Sequence, residues 1–355
     1  MSTTIPETMH AVMLRIPGPP SSLKIETIPT PIPQPDQVLI KVRAFGLNRS
    51  EVFTRQGHSP IREVSLPRVL GIECVGTVAA VVEKEGLKIG DKVATCVGGM
   101  GRDFDGSNAE FCVVPRGQVV RIGVEAGLEE LGWDVWGALP EMIQTSMSSF
   151  LCDLIFVFPC LYTHTPMWGS LFSSLKLKEG DSLLIRGGTS SIGLAAAALA
   201  SHHGAIVTST TRQPSRTQLL LETGAHHVII DPPSGLISHT TNIRFDKILE
   251  LGGPTTLDDS FKLLKAGGII CQAGICGGKW IMENWNAFAV GAGYFTSYAS
   301  SVDRFLETPL DRVAGLVREG IIRIPIRVFE GLREIQEAHR VMEMEGAAGK
   351  IVVVI

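Results

Sequence analysis

Ser182-Leu-Leu-Ile-Arg-Gly-Gly-Thr-Ser-Ser-Ile-Gly193, running on into Leu194-Ala-Ala-Ala-Ala-Leu199, is an apolar run that turns through glycines into an alanine-rich segment. Glycines allow a tight turn and a close backbone approach, and a helix that starts there offers unpaired N–H groups to an anion. The stretch therefore reads as a strand, a phosphate-binding loop and a helix, with Gly188, Thr189, Ser190, Ser191, Ile192 and Gly193 as the loop that would hold a dinucleotide pyrophosphate. As a Gly-x-Gly-x-x-Gly motif it departs at the middle position, where Ser190 stands.

Downstream the rhythm stays strand, helix, strand. The reading gives strands at Leu183–Arg186, Ala205–Ser209, Val228–Asp231, Phe245–Leu251 and Gly268–Ala273, with helices at Ile192–His203 and Ser215–Thr223 between them. Such alternation predicts a doubly wound parallel α/β sheet covered on both faces. Upstream, short β-patterned runs such as Val38–Ala44, Gly76–Val82, Asp91–Thr95 and Glu110–Val114 are separated by Gly, Pro and Asp. They predict a partly open β-barrel. The C-terminal Gly349–Ile355 reads as a last strand that returns to this first sheet.

The 355 residues suffice for two packed domains, and 45% are hydrophobic. A net charge of −4 gives no electrostatic footprint for nucleic acid or an acidic membrane surface. Seven cysteines without a Cys-x-x-Cys pair read as reduced and mostly buried. The N-terminus has neither a basic n-region nor an apolar h-region, so no secretory signal is expected and a cytoplasmic location is.

With these pieces in order, the chain resembles the zinc-independent quinone oxidoreductase and enoyl reductase branch of the medium-chain dehydrogenase/reductase superfamily. The resemblance rests on Val38–Val42, Gly46-Leu47-Asn48, Leu70-Gly71-Ile72-Glu73, Gly90-Asp91-Lys92-Val93, Ala138-Leu139-Pro140, the Gly187–Gly193 loop, Glu337-Ala338-His339-Arg340 and Gly349-Lys350-Ile351. It implies a GroES-like catalytic domain (1–143 and 306–355) and a Rossmann cofactor domain (144–305). A cytoplasmic homodimer acting on a small-molecule substrate is the form it implies. Zinc-dependent relatives carry a Cys where this chain has Asn48 and Gly-His-Glu where it has Gly71-Ile72-Glu73. Isoleucine cannot ligate a metal and asparagine is a poor zinc ligand, so no metal site is expected.

Roughly twenty residues beyond the loop, an NAD-preferring fold offers an acid to the ribose 2′-hydroxyl. Here Thr211 and Arg212 stand there, which suits a 2′-phosphate and points to NADP(H). The resemblance places Asn48 by the reacting ring, and Thr145, Gly274 and Lys350 with the cofactor; a plain helix-cap role is the alternative for Thr145. Enoyl reductases of this branch have a Tyr in a Gly-x-Tyr-Pro segment, whereas this chain has Gly57-His58-Ser59-Pro60. His58 is then either a proton donor near neutral pH or an exposed loop residue. Tyr294, Phe295, Tyr298 and Trp285 are candidate pocket aromatics, at least two of them expected in the core.

One stretch departs from the resemblance: Ser146–Met167, with the apolar run Phe150–Leu161, interrupts the passage from helix to Trp168. The run is too short to span a bilayer. It reads as a hydrophobic flap, a partner surface or translated intron, expected outside regular secondary structure. The resulting expectation is hydride transfer from NADPH to a quinone or an α,β-unsaturated carbonyl. The alternatives are a zinc-free alcohol or carbonyl dehydrogenase, and a nucleotide-binding protein silenced by the insert.

Overall fold

A computed structural model describes residues 5–58, 63–82, 86–146, 169–282, 287–344 and 349–355. The insert 146–167 lies outside the described residues apart from Ser146, as do Ser59 and Trp285.

The glycine-loop strand, Ser182–Arg186, lies in the middle of a six-stranded sheet. The order across the sheet is His227–Ile230, Ile206–Thr211, Ser182–Arg186, Phe245–Glu250, Leu264–Gln272 and Tyr294–Ser297, and every pairing is parallel. Numbered along the chain this is 3-2-1-4-5-6, the doubly wound Rossmann order. Five of the strands coincide with expected ones; the sixth, Tyr294–Ser297, was read only as a source of pocket aromatics. It is a short edge strand with Tyr294 65% exposed, so it lacks the buried apolar run that announces an inner strand. Tyr294 and Phe295 are exposed on this sheet edge. Tyr298 is buried and donates its hydroxyl to the Gln144 carbonyl at 2.9 Å.

The helix after the loop, Ser191–His202, carries Ala195–Ala198 and Ala200, all buried. Small side chains let it lie close to the strands and to helix Pro140–Ser146, and the largest apolar cluster runs through this contact from Val75 and Trp136 to Leu183 and Leu199.

The other sheet has the order Ile326–Glu330, Lys350–Val354, Gln37–Gly46, Glu73–Val81, Lys92–Cys96 and Val119–Arg121, with Phe111–Pro115 also paired to Gln37–Gly46. The last strand does return to it, antiparallel to Gln37–Gly46. The sequence reading missed Ile326–Glu330, an edge strand parallel to Lys350–Val354. Strands Leu23–Pro29, Thr8–Leu14 and Arg68–Val69 form a third, small sheet. Among the described residues no helix is long and apolar enough to cross a membrane.

Candidate active site

The loop leaves strand Ser182–Arg186 at Gly187, whose φ of +78° is a left-handed value that favours glycine. Gly188 packs so tightly that a Cβ there would come within 2.8 Å of Ser209 Cβ, and one on Gly193 within 2.7 Å of the Gly187 carbonyl. Ser190 is the N-cap of the helix: its hydroxyl accepts the Gly193 N–H at 3.1 Å and donates to the Gly187 carbonyl at 2.8 Å. This explains the departure from the glycine motif, because serine is a preferred N-cap where a third glycine would leave Gly193 N–H without that acceptor. Thr189, Ser190, Ser191 and Ile192 are half-buried at the open end of the sheet. First-turn N–H groups have no partner within a helix, so a phosphate-sized anion fits here.

The neighbouring strand ends at Thr211, buried, with Arg212 exposed after it. The Thr211 hydroxyl accepts the Gln213 N–H at 3.1 Å. The Arg212 charge reaches Asp231 and Cys276, favouring the ionised form of each, although burial is the larger influence on Asp231 and raises it. Cys276 follows Gly274 on the loop after the fifth strand, and its thiol meets the Ser190 hydroxyl. Gly274 is half-buried, and a Cβ on it would press on Leu251 at 3.0 Å. Arg49, which the sequence reading passed over, brings a second positive charge to Cys276 from the other side of the cleft.

Beneath the opposite wall lies a group of buried ionisable side chains drawn from distant parts of the chain. Lys350 donates to Asn48 Oδ1 at 2.7 Å and to Glu73 Oε1 at 2.6 Å, with Glu141 Oε2 3.8 Å away. Asn48 Nδ2 donates to Glu73 Oε1 at 2.8 Å and to Glu51 Oε2 at 3.1 Å. The Glu141 N–H donates to Glu73 Oε2 at 2.7 Å. Gly46 makes room for the ammonium, since a Cβ there would meet Lys350 Cε at 2.4 Å and Glu73 Oε1 at 2.5 Å. Glu51 also receives the Asn48 N–H, one half of a capping box on helix Arg49–Arg55.

Burial, then the charge of Glu73, pushes the Glu51 carboxyl up to about 8. Burial raises Glu73 too, against the pull of Lys350. For Lys350 burial works against the charge, but Glu73 and Glu141 outweigh it and hold its pKa above the ordinary value.

These contacts bear on two expectations. Lys350 was placed with the cofactor, but its ammonium is buried and turned to Asn48 and Glu73. Asn48, expected beside the reacting ring, has its amide oxygen and nitrogen both engaged inside the cluster. Thr145, also buried, is engaged as well: its hydroxyl donates to Glu141 Oε1 at 3.0 Å and lies 3.0 Å from Ser300 Oγ. It sits within helix Pro140–Ser146 rather than at a cap position. His58 is exposed in the turn after helix Arg49–Arg55. Spacing alone did not reveal the cluster because its members come from four widely separated segments; Gly46 before Asn48 was the local signal.

Comparisons with known proteins agree with the fold. Residues 34–124 match the family model "Alcohol dehydrogenase GroES-like domain", and residues 223–353 match "Zinc-binding dehydrogenase". The chain is 25% identical to a quinone oxidoreductase of Rattus norvegicus over 98% of both proteins. It is 24% identical to an acryloyl-coenzyme A reductase of Sulfurisphaera tokodaii, over 95% of this chain and 98% of that protein. A solved quinone oxidoreductase from Coxiella burnetii superposes with a TM-score of 0.78 at 24% identity, covering 98% of this chain and 99% of its own.

Proposed function

The chain belongs to the medium-chain dehydrogenase/reductase superfamily, in its quinone oxidoreductase branch, and from that premise we propose an NADPH-dependent reductase of quinones and α,β-unsaturated carbonyls that works without zinc. The observation that carries the reading is the Lys350 ammonium bonded to Asn48 Oδ1 and Glu73 Oε1. A zinc ion needs open lone pairs from several ligands. Here Ile72 has none, and those of Asn48 and Glu73 face a cation already. The residues present do not fit zinc.

Without a metal to polarise it, a plain carbonyl or alcohol lacks its usual electrophile. A conjugated acceptor needs less help, because the carbon that takes hydride is activated by its own distant oxygen. The reduced nicotinamide, when bound, supplies that hydride. The protein's part is holding and placing. The helix N-terminus at Ser190–Gly193 takes the pyrophosphate, while Thr211 and Arg212 hold the 2′-phosphate by charge-assisted hydrogen bonds. Gly274 lines the nicotinamide end. Asn48, Glu73 and Lys350 keep the floor of the cleft in one shape, and Thr145 ties it to Ser300. Water or His58 delivers the proton to the resulting enolate. We take the assembly to be a cytoplasmic homodimer.

NADPH and NADH titrations of wild type and Arg212→Ala test the cofactor reading. The variant is expected to lose about 1.5–3 kcal/mol of NADPH binding with little change for NADH. Equal wild-type affinities overturn it. Turnover of quinones, enones and saturated aldehydes, side by side, tests the chemistry. Faster turnover of aldehydes than of every conjugated acceptor favours the zinc-free dehydrogenase. Tight NADPH binding with no turnover favours a silenced nucleotide-binding protein.

A further inference from the structure

The glycine loop belongs to the first half of the doubly wound sheet, so the nicotinamide half of a dinucleotide falls over the second half, strands Phe245–Glu250, Leu264–Gln272 and Tyr294–Ser297. The loop after Leu264–Gln272 is firmly rooted there. The Cys276 N–H donates to the Leu251 carbonyl at 2.7 Å, the Gly277 N–H to Gly252 at 2.9 Å and the Gly278 N–H to Ile275 at 2.8 Å. Its far end carries Trp280, whose ring meets Phe53 edge to face across the cleft, 5.6 Å between centroids at 72°. Phe53 belongs to helix Arg49–Arg55, which begins directly after Asn48. This ring contact thus joins the two walls of the candidate site. Trp280 remains 45% exposed, so an aromatic surface is left open beside Phe53, with Ile281 exposed next to it.

Asn48, expected by the reacting ring, and Thr145, expected with the cofactor, have their polar groups engaged within the protein. The Asn48 amide is engaged with Glu51, Glu73 and Lys350, and the Thr145 hydroxyl with Glu141 and Ser300. What the walls offer is an indole held edge to face against Phe53. An indole face is electron-rich, and an electron-poor flat ring is its natural stacking partner. Stacking also fixes the plane of the acceptor, which hydride transfer requires and which a hydrogen bond to one oxygen leaves free to rotate.

We propose that Trp280, backed by Phe53, is the specificity-determining residue that selects flat, electron-poor ring acceptors over open-chain enones. The inference rests on the reductase reading and adds a residue-level basis for discrimination within it.

The test compares wild type, Trp280→Ala and Trp280→Phe on 1,4-naphthoquinone and but-3-en-2-one. Calorimetric titration of naphthoquinone into each NADP+ complex is run alongside the kinetics. Trp280→Ala is expected to lower kcat/KM for the naphthoquinone about three- to tenfold, the worth of one aromatic stack, and to leave the enone unchanged. Trp280→Phe is expected to keep most of the quinone preference. Equal losses on both acceptors, or none on the quinone, overturn the proposal. If the wild type oxidises NADPH with neither acceptor, the reductase reading fails by itself and the calorimetry decides. Naphthoquinone binding lost in Trp280→Ala and kept in Trp280→Phe upholds the stacking site, whereas absent binding or binding indifferent to position 280 removes it.

Discussion

Lys350 in the GroES-like part and Arg186 in the Rossmann-like sheet are both buried cations among carboxylates, yet they hold different things. Arg186 bonds Asp259 at 2.9 Å, pairs with Asp231 at 3.3 Å and donates to the Gly235 carbonyl at 2.8 Å. Asp259 accepts the Ile237 and Ser238 N–H groups, and nearby Glu250 accepts those of Gly252 and Gly253. That network pins backbone: a planar guanidinium presents a fixed fork, and loops are fastened to it. Lys350 instead meets side-chain atoms, Asn48 Oδ1 and Glu73 Oε1, on the floor of the cleft. An ammonium is a compact point charge, suited to taking the place of another cation. One cluster therefore secures the fold, and the other conditions a site.

The largest effect should come from deleting either cation. Lys350→Met and Arg186→Met are each expected to cost about 3–5 kcal/mol in urea unfolding, because buried carboxylates lose their partner. The contrast is in the repair. Lys350→Met with Glu73→Gln should recover much of the loss, since the pair is removed together. Arg186→Met with Asp259→Asn should recover less, because Asp259 also serves two backbone N–H groups. Equal recoveries would erase the distinction drawn above.

Glu51 sharpens the catalytic side. Its folded pKa lies near 8 against an ordinary 4.5, so its contribution is fully present below pH 4.5 and is lost as pH rises through about 8. Glu51→Gln stays neutral and should exceed wild type by about 3 kcal/mol at pH 8 relative to pH 5. Thermal unfolding across that range checks it, and parallel curves for the two proteins would falsify the assignment.

His339, buried with both ring nitrogens lacking a hydrogen-bond partner among the described residues, sets the opposite edge. Burial and then the Arg55 charge hold it down to about 3 from an ordinary 6.5. The unfolded chain binds this proton first, so stability falls as pH drops from 6.5 towards 3, by about 2 kcal/mol at pH 5. His339→Leu should flatten that limb; an unchanged acid slope rejects it.

The smallest effect is expected at the surface of the Rossmann-like sheet. Burial opposes ionisation of Asp246, but Lys265 and Ser182 outweigh it and hold the carboxyl down to about 2. Its contribution is present above the ordinary 3.8 and lost as pH falls through about 2. Lys265 is 45% exposed, so Lys265→Ala should cost no more than about 1 kcal/mol at pH 7. A loss as large as that of Arg186→Met would mean that exposure is no guide to which ion pairs matter here.

Local pattern determined a good deal of this protein. The glycine loop, the alternation after it and the short runs before it specify a doubly wound sheet joined to a strand-rich half, because each depends on neighbours within a dozen residues. Ser190 was legible as part of the loop, and the spacing from it marks Thr211-Arg212 as the place where the proposed 2′-phosphate contact would fall. Edge strands Tyr294–Ser297 and Ile326–Glu330 were not, since an exposed strand shows little apolar signature. Only the tertiary structure decided where Asn48 and Lys350 point. They lie 302 positions apart, and their meeting depends on the last strand pairing with Gln37–Gly46. A side chain's partner in a buried cluster follows from which strands become neighbours, and that is a property of the whole sheet that no local run of sequence carries.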